Sequence, residues 1–320
     1  MKKIIFLIMA SLPLAAPAQL VTGLEGASGS GIGPDRAIYV TEGAVGRISR
    51  IDTKSGEMTT YAEGLPPQVI PAGGAVDIAF RGGTAYVLVS LVGEFGGGTD
   101  GIYRVDGPNS FTIIADIGSF AQANPPNGFP FALMNGVQYA MEPYRDGFLV
   151  TDGHHNRVLR VRLNGEISEF FAFGEDTVPT GLVAKGRTVY VAEAGPLPHN
   201  AEDGKVVALW HKSRSSRVVA SGAPLLVDVE FGRGRTLLAL SNGVWSGPPG
   251  WDGDPNAAGF PADPNTGALY KVKKNGQFEE LIAELNQPSS LEIIKNTAYI
   301  VTLAGDVWKF DNILPKRRHH

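Results

Sequence analysis

Short apolar segments recur along nearly the whole chain, separated by turns rich in Gly, Pro and Asx residues. One position in each recurring unit is aromatic or Leu: Tyr39, Tyr86, Leu149, Tyr190, Leu238 and Tyr299, at spacings of 47, 63, 41, 48 and 61. Each is followed by a loop and a further strand pattern, beginning at Gly46, Gly101, Asn156, Gly204, Gly267 and Gly305. The unit reads as four short antiparallel strands. Six copies of such a module predict an all-β chain, a six-bladed β-propeller. The sixth copy runs out near Asn312, while Leu20-Val-Thr-Gly-Leu-Glu-Gly26 resembles the outer strands of the other units. The N-terminal strand is therefore expected to join the last blade and close the ring, which removes two open edges.

Connections in a propeller alternate between two faces. One face collects short turns, such as Asn164-Gly165 and Lys274-Asn-Gly276, with hairpin chemistry. The other collects nearly all the long loops: 65–74, 91–100, 118–135, 195–203 and 243–266. Long loops gathered on one face predict a built surface for a ligand or partner; drift of tolerated insertions is the plainer alternative.

Composition narrows the function. The 320 residues contain no cysteine, which excludes thiol catalysis, disulfides and cysteine-ligated metals. A net charge of −4 without a basic stripe gives no support to nucleic-acid binding. Lys2 and Lys3, an apolar run over 4–16 and Ala16-Pro17-Ala18 read as a signal peptide cleaved after Ala18. No later run is long enough to span a bilayer. The organisation expected is thus a signal peptide over 1–18, a propeller over 19–314 and a basic tail over 315–320, exported to the periplasm or secreted, as a monomer.

Candidate chemistry lies on the loop-rich face. The second strands end in Glu42, Asp152 and Glu193, which can hold a hard cation, act as acid or base, or cap local N–H groups. The innermost strands are expected to begin at Gly29, Asp77, Gln138, Gly181, Asp228 and Ser290. A polar ring there suits water, an ion or a polar ligand, with the two glycines leaving room where blades converge. His154, His155 and His199 stand in loops as ligand or base candidates, although adjacent histidines on an extended chain point apart. Trp245 and Trp251 flank a Gly-Pro-Pro-Gly turn, where they either meet a ligand or pack down onto the loop. Asp252, Asp254, Asn256 and Asp263 form an oxygen-rich stretch, a candidate weak calcium site that lacks the bidentate Glu of a calcium loop.

Asp152-Gly-His-His-Asn156-Arg157 resembles the NHL repeat signature, which implies that Asp152 and Asn156 shape their loop. More broadly, Tyr39-Val-Thr-Glu-Gly43, Val76-Asp-Ile-Ala-Phe80, Val178-Pro-Thr-Gly181 and Asp254-Pro-Asn-Ala-Ala258 resemble the ScyD/ScyE family of exported propellers, associated with scytonemin biosynthesis. That resemblance implies a six-bladed exported propeller without a settled activity. Two functions follow as expectations. One is a protein that binds a small polar molecule or a protein partner on its loop-rich face. The other is a metal-dependent lactonase or esterase of the regucalcin/gluconolactonase type. Enzymes of that type hold a divalent ion with Glu, Asn and Asp; Glu42 and Asp228 are the positional analogues, while Gln138 and Gly181 stand where the Asn ligands would be.

Overall fold

A computed structural model describes residues 17–126, 132–174, 177–248 and 260–315. Most of the signal-like segment, the basic tail from Lys316, and Trp251, Asp252, Asp254 and Asn256 lie outside these residues.

The described strands form six four-stranded antiparallel sheets. Blade 1 comprises β2 (Ala27–Ile32), β3 (Ile38–Glu42), β4 (Arg47–Ile51) and β5 (Met58–Glu63). Blade 2 follows with β6 (Gly74–Arg81), β7 (Thr84–Ser90), β8 (Gly101–Gly107) and β9 (Ser110–Asp116). Blade 3 holds β10 (Gln138–Tyr144), β11 (Gly147–Asp152), β12 (Arg157–Arg162) and β13 (Ile167–Ala172). Blade 4 holds β14 (Pro179–Lys185), β15 (Thr188–Glu193), β16 (Gly204–Trp210) and β17 (Ser215–Ala223). Blade 5 holds β18 (Leu226–Gly232), β19 (Thr236–Ser241), β20 (Gly267–Val272) and β21 (Phe278–Leu285). Blade 6 takes β22 (Pro288–Ile294), β23 (Thr297–Thr302) and β24 (Val307–Asp311) from the C-terminal end, and β1 (Ala18–Val21) as its outer strand. The closing pairs are Ala18↔Lys309, Gln19↔Trp308 and Val21↔Val307, so the strand sits two residues earlier than the sequence pattern suggests.

Second strands are buried on both faces, which explains their continuous apolar runs: Val87, Leu88 and Val89 in β7 are fully buried, as are Leu238, Ala239 and Leu240 in β19. Their side chains fill the layers between neighbouring blades. Tyr39, for example, packs edge-on against Tyr61 of its own blade and Phe80 of the next.

The long connections all leave from one face, as their spacing predicts: 64–73, 91–100, 117–137, 194–203 and 242–266 join second to third strands or one blade to the next. One contains a helix that the sequence pattern does not show, α1 (Ile117–Ala123), N-capped by Asp116 through Ser119 N at 2.8 Å. Its apolar positions Ile117 and Ala121 are buried, Ile117 in the core shared by blades 2 and 3.

Candidate functional site

All six innermost strands carry a β-bulge near their first residues, at 27/30, 75/77, 138/141, 179/182, 226/228 and 288/290. These strands also form the inner edge of each sheet, so their bulged N–H groups need partners from elsewhere. Asp77 supplies two: Oδ1 accepts from its neighbour Ile78 N at 2.8 Å, and Oδ2 from Met141 N of the next blade at 2.6 Å. Asp228 repeats the arrangement three blades on, with Val229 N and Leu291 N, both at 2.8 Å. Ser290 does the same for blade 1, accepting from Ser30 N at 3.1 Å while its hydroxyl meets Ser30 Oγ at 2.8 Å. Asp77, Asp228 and Ser290 are therefore joints between blades as well as channel residues.

The glycines preceding these aspartates have a steric reason. A Cβ at Gly29 would lie 2.6 Å from Asp77 Oδ1, and one at Gly181 would lie 2.4 Å from Asp228 Oδ1. Gln138 stands elsewhere. The bulge in β10 moves it out of the ring and brings Ala140 and Met141 to the channel wall. Gln138 is buried, accepting from Ser90 Oγ at 3.0 Å and donating to the Asn135 carbonyl at 2.8 Å.

Inside the ring lies a cavity of about 180 Å³. Among the described residues five carboxylates line it, Asp77, Asp228, Glu142, Glu230 and Glu292, and no Lys, Arg or His does. The three glutamates form a second layer two residues along β10, β18 and β22, because alternate residues of a strand share a face. Asp228-Val-Glu230 and Ser290-Leu-Glu292 show this alternation in the sequence. Reading only the first position of each strand misses it. Burial is the main cause raising all five carboxyls above their ordinary values, with mutual repulsion adding to most of them. Glu142 is pushed up to about 7, Asp228 to about 6, and Asp77, Glu230 and Glu292 well above the carboxylate range. Near the loop-rich end, Tyr139 crosses the axis from blade 3, and its hydroxyl donates to the Ser289 carbonyl of blade 6 at 3.4 Å.

The second-strand carboxylates do a different job. Glu42, fully buried, accepts from Arg47 Nε at 2.8 Å, Arg47 Nη2 at 2.6 Å, Ser49 Oγ at 2.5 Å and Glu25 N at 2.8 Å. Burial alone would raise its pKa; these bonds outweigh it and hold the carboxyl below its ordinary value. Asp152, also buried, accepts from Val137 N at 3.0 Å, His155 N at 3.3 Å and Arg157 Nε at 3.1 Å, and is likewise held low against the opposing effect of burial. Arg157 is fully buried, and its Nη1 reaches the Asn124 carbonyl at 2.7 Å, fastening α1 to blade 3. Asn156 Oδ1 accepts from Thr177 N and Val178 N, at 2.9 and 2.8 Å. Asp152, Asn156 and Arg157 thus shape the loop as the NHL-like pattern implies. Glu193 differs. It is buried opposite the exposed Lys205 with no ion pair between them, and burial pushes it up to about 7.

The loop residues are built into the structure. His155 Nε2 lies 3.2 Å from the Leu133 carbonyl and Nδ1 3.1 Å from Arg157 Nη2; His154 Nε2 accepts from Leu133 N at 3.3 Å. The two rings are tilted 5.6 Å apart. Trp245 packs down, buried edge-on against His199 at 5.5 Å, and donates to the Phe260 carbonyl at 2.8 Å. Asp263 accepts from Ser246 Oγ at 2.6 Å. Asn135 bonds Asp100, Glu94 and Gln122, at 2.7, 2.9 and 2.6 Å, and ties the 91–100 and 117–137 connections together. Asn242 does the same between 242–266 and blade 6, meeting Ala262 N at 2.8 Å and the Pro288 carbonyl at 2.9 Å. On this stitched face stand Val45, Val69, Phe95, Met134, Val244, Phe260 and Leu303. They are seven of the eleven exposed large apolar side chains among the described residues, although the outer strands and short turns also face solvent.

Among the described residues, no three His, Asp or Glu side chains converge to hold a metal ion. Glu42 is committed to Arg47 and Ser49, and Asp228 to two backbone amides.

No protein-family model matches the chain, and no curated protein matches it in sequence. Solved structures do match in shape. A gluconolactonase from Xanthomonas campestris aligns at 13% identity with a TM-score of 0.62, covering 92% of this chain and 89% of its own. A PQQ-bound aldose sugar dehydrogenase from Streptomyces coelicolor gives 12% and 0.60, covering 94% and 99%. A virginiamycin B lyase from Staphylococcus aureus gives 12% and 0.56, covering 92% and 98%. Likeness at such identity reaches as far as the fold, and in that sense the chain is a six-bladed β-propeller.

Proposed function

We propose that the protein is an exported binding propeller of the ScyD/ScyE type that engages a partner through its loop-rich face. The observation carrying this is the concentration of exposed apolar side chains on loops pinned by buried polar residues. Insertions kept by drift have no need of buried Asn and Arg side chains to hold them in register. The apolar positions come from blades 1, 2, 5 and 6 and from the connections between blades 1 and 2 and between 2 and 3, a spread that suits a protein-sized partner better than a small molecule.

The variant Val69→Ser/Phe95→Ser/Val244→Ser tests it. Full-length mature protein, immobilised and exposed to extracts and medium of its source cells, is expected to retain partners that the variant loses by about tenfold or more, at unchanged thermal stability. Equal retention by both proteins defeats the proposal. A metal-dependent hydrolase remains the second reading, supported by the shared architecture; against it, no three His, Asp or Glu side chains converge among the described residues.

A further inference from the structure

The acidic chamber on the axis has no place in partner binding on the loop face. Five carboxylates from blades 2, 3, 5 and 6 face one partly open cavity, lined by no Lys, Arg or His among the described residues. Asp77 and Asp228 meet two backbone amides each, and Glu142 accepts from Ala184 N at 3.1 Å. Glu230 meets its neighbour Phe231 N at 3.1 Å. Among the described residues no hydrogen bond or ion pair reaches Glu292, which lies deep in the ring, half-buried, and faces the chamber. A carboxylate set this deep in the ring without a donor from the chain is poorly satisfied, so a donor from outside the chain is expected to meet it.

The shape of the chamber narrows what that is. Its acids are spread too widely for any three to share a bare ion. Its walls alternate these acids with Phe80, Met141, Leu182 and the Tyr139 ring, surfaces that suit alkyl chains and ammonium groups. The volume of about 180 Å³ equals roughly six waters, room for a molecule of about six heavy atoms. It runs from Ser28 and Ser289, at the end where Tyr139 spans the ring, to Phe80 and Pro143 beside the short turns.

We propose that the axial chamber binds a small organic dication, an alkyl diamine held between the carboxylates of Glu292, Glu230 and Glu142, which it reaches from the short-turn face.

Calorimetric titration of the mature chain with diaminobutane tests this, with calcium and magnesium chloride as separate arms. Saturable diamine binding is expected at pH 8. It should weaken by about tenfold or more at pH 5, where the five chamber carboxyls take up protons, while Tyr139 stays neutral throughout. Glu292→Gln and Glu230→Gln should each weaken it similarly. Glu292→Gln breaks no hydrogen bond, so it should fold; circular dichroism checks both variants. Calcium or magnesium displacing the diamine overturns the assignment in favour of a hydrated metal ion. Binding unchanged in both variants overturns it as non-specific. Absence of diamine binding, with Glu292→Gln simply more stable to heat, overturns it by showing that protons alone neutralise the chamber.

Discussion

Glu42, Asp152 and Glu193 occupy the same register position in blades 1, 3 and 4, each opposite a basic residue of the third strand. Opposite Arg47, Glu42 finds a fork of donors; opposite Arg157, Asp152 finds its Nε and two backbone amides, and both acids are held below their ordinary values. Opposite Lys205, whose ammonium stays with solvent, Glu193 remains a costly buried acid. The pH dependences therefore have opposite signs. Glu193 has a raised folded pKa, so its penalty is absent below the ordinary carboxylate range and grows as pH rises through about 7. Glu193→Gln is expected to stabilise by about 1–3 kcal/mol at pH 8 and by little at pH 5, read by urea unfolding at both. Glu42 has a lowered folded pKa, and its stabilisation is full above the ordinary carboxylate range and lost as pH falls through the folded value. Glu42→Gln should cost about 2–4 kcal/mol at pH 7, a loss that shrinks in acid. A greater stability of Glu42→Gln at pH 7 would refute this account. The sequence shows these three carboxylates but not their fates, because Arg47, Arg157 and Lys205 differ in reach rather than in charge.

Among the elements, β1 does the most for its length. Four residues near the start of the described chain cover the exposed edge of β24, and buried Val21 joins the blade 6 and blade 1 core. A chain beginning at Gly23 is expected to melt on the order of 10 °C lower and to form larger species on size-exclusion chromatography, as the uncovered edge seeks another strand. An unchanged melting point and a single monomer peak would show that closure contributes nothing. This strand pairing was legible in the sequence because the last unit lacks a fourth strand. The inner-strand bulges were not. A bulge adds a residue without changing the apolar pattern, which is why Gln138 counts into the ring while Ala140 and Met141 occupy it. Helix α1 was hidden as well: seven residues with Ile117 and Ala121 as their apolar contacts are too few to show a period.

Across the whole molecule, the inter-blade joints repeat with a half-turn relation: Gly29 makes room for Asp77, and Gly181 makes room for Asp228 three blades later. Ring closure thus uses side chains and backbone amides at these joints. Treatment with a chelator is expected to shift the thermal midpoint by less than about 2 °C. A large fall restored by calcium would point to a structural metal instead.

The Tyr139 phenol lies between the patterned loop surface and the carboxylate chamber, anchored on the opposite wall of the ring. Its ring lines the chamber and spans from blade 3 to blade 6 at that end. A protein seated above and a small cation lodged below would not compete for space, and neither would need to leave for the other to arrive. Two occupants could be carried at once, each answering to its own conditions of concentration and acidity.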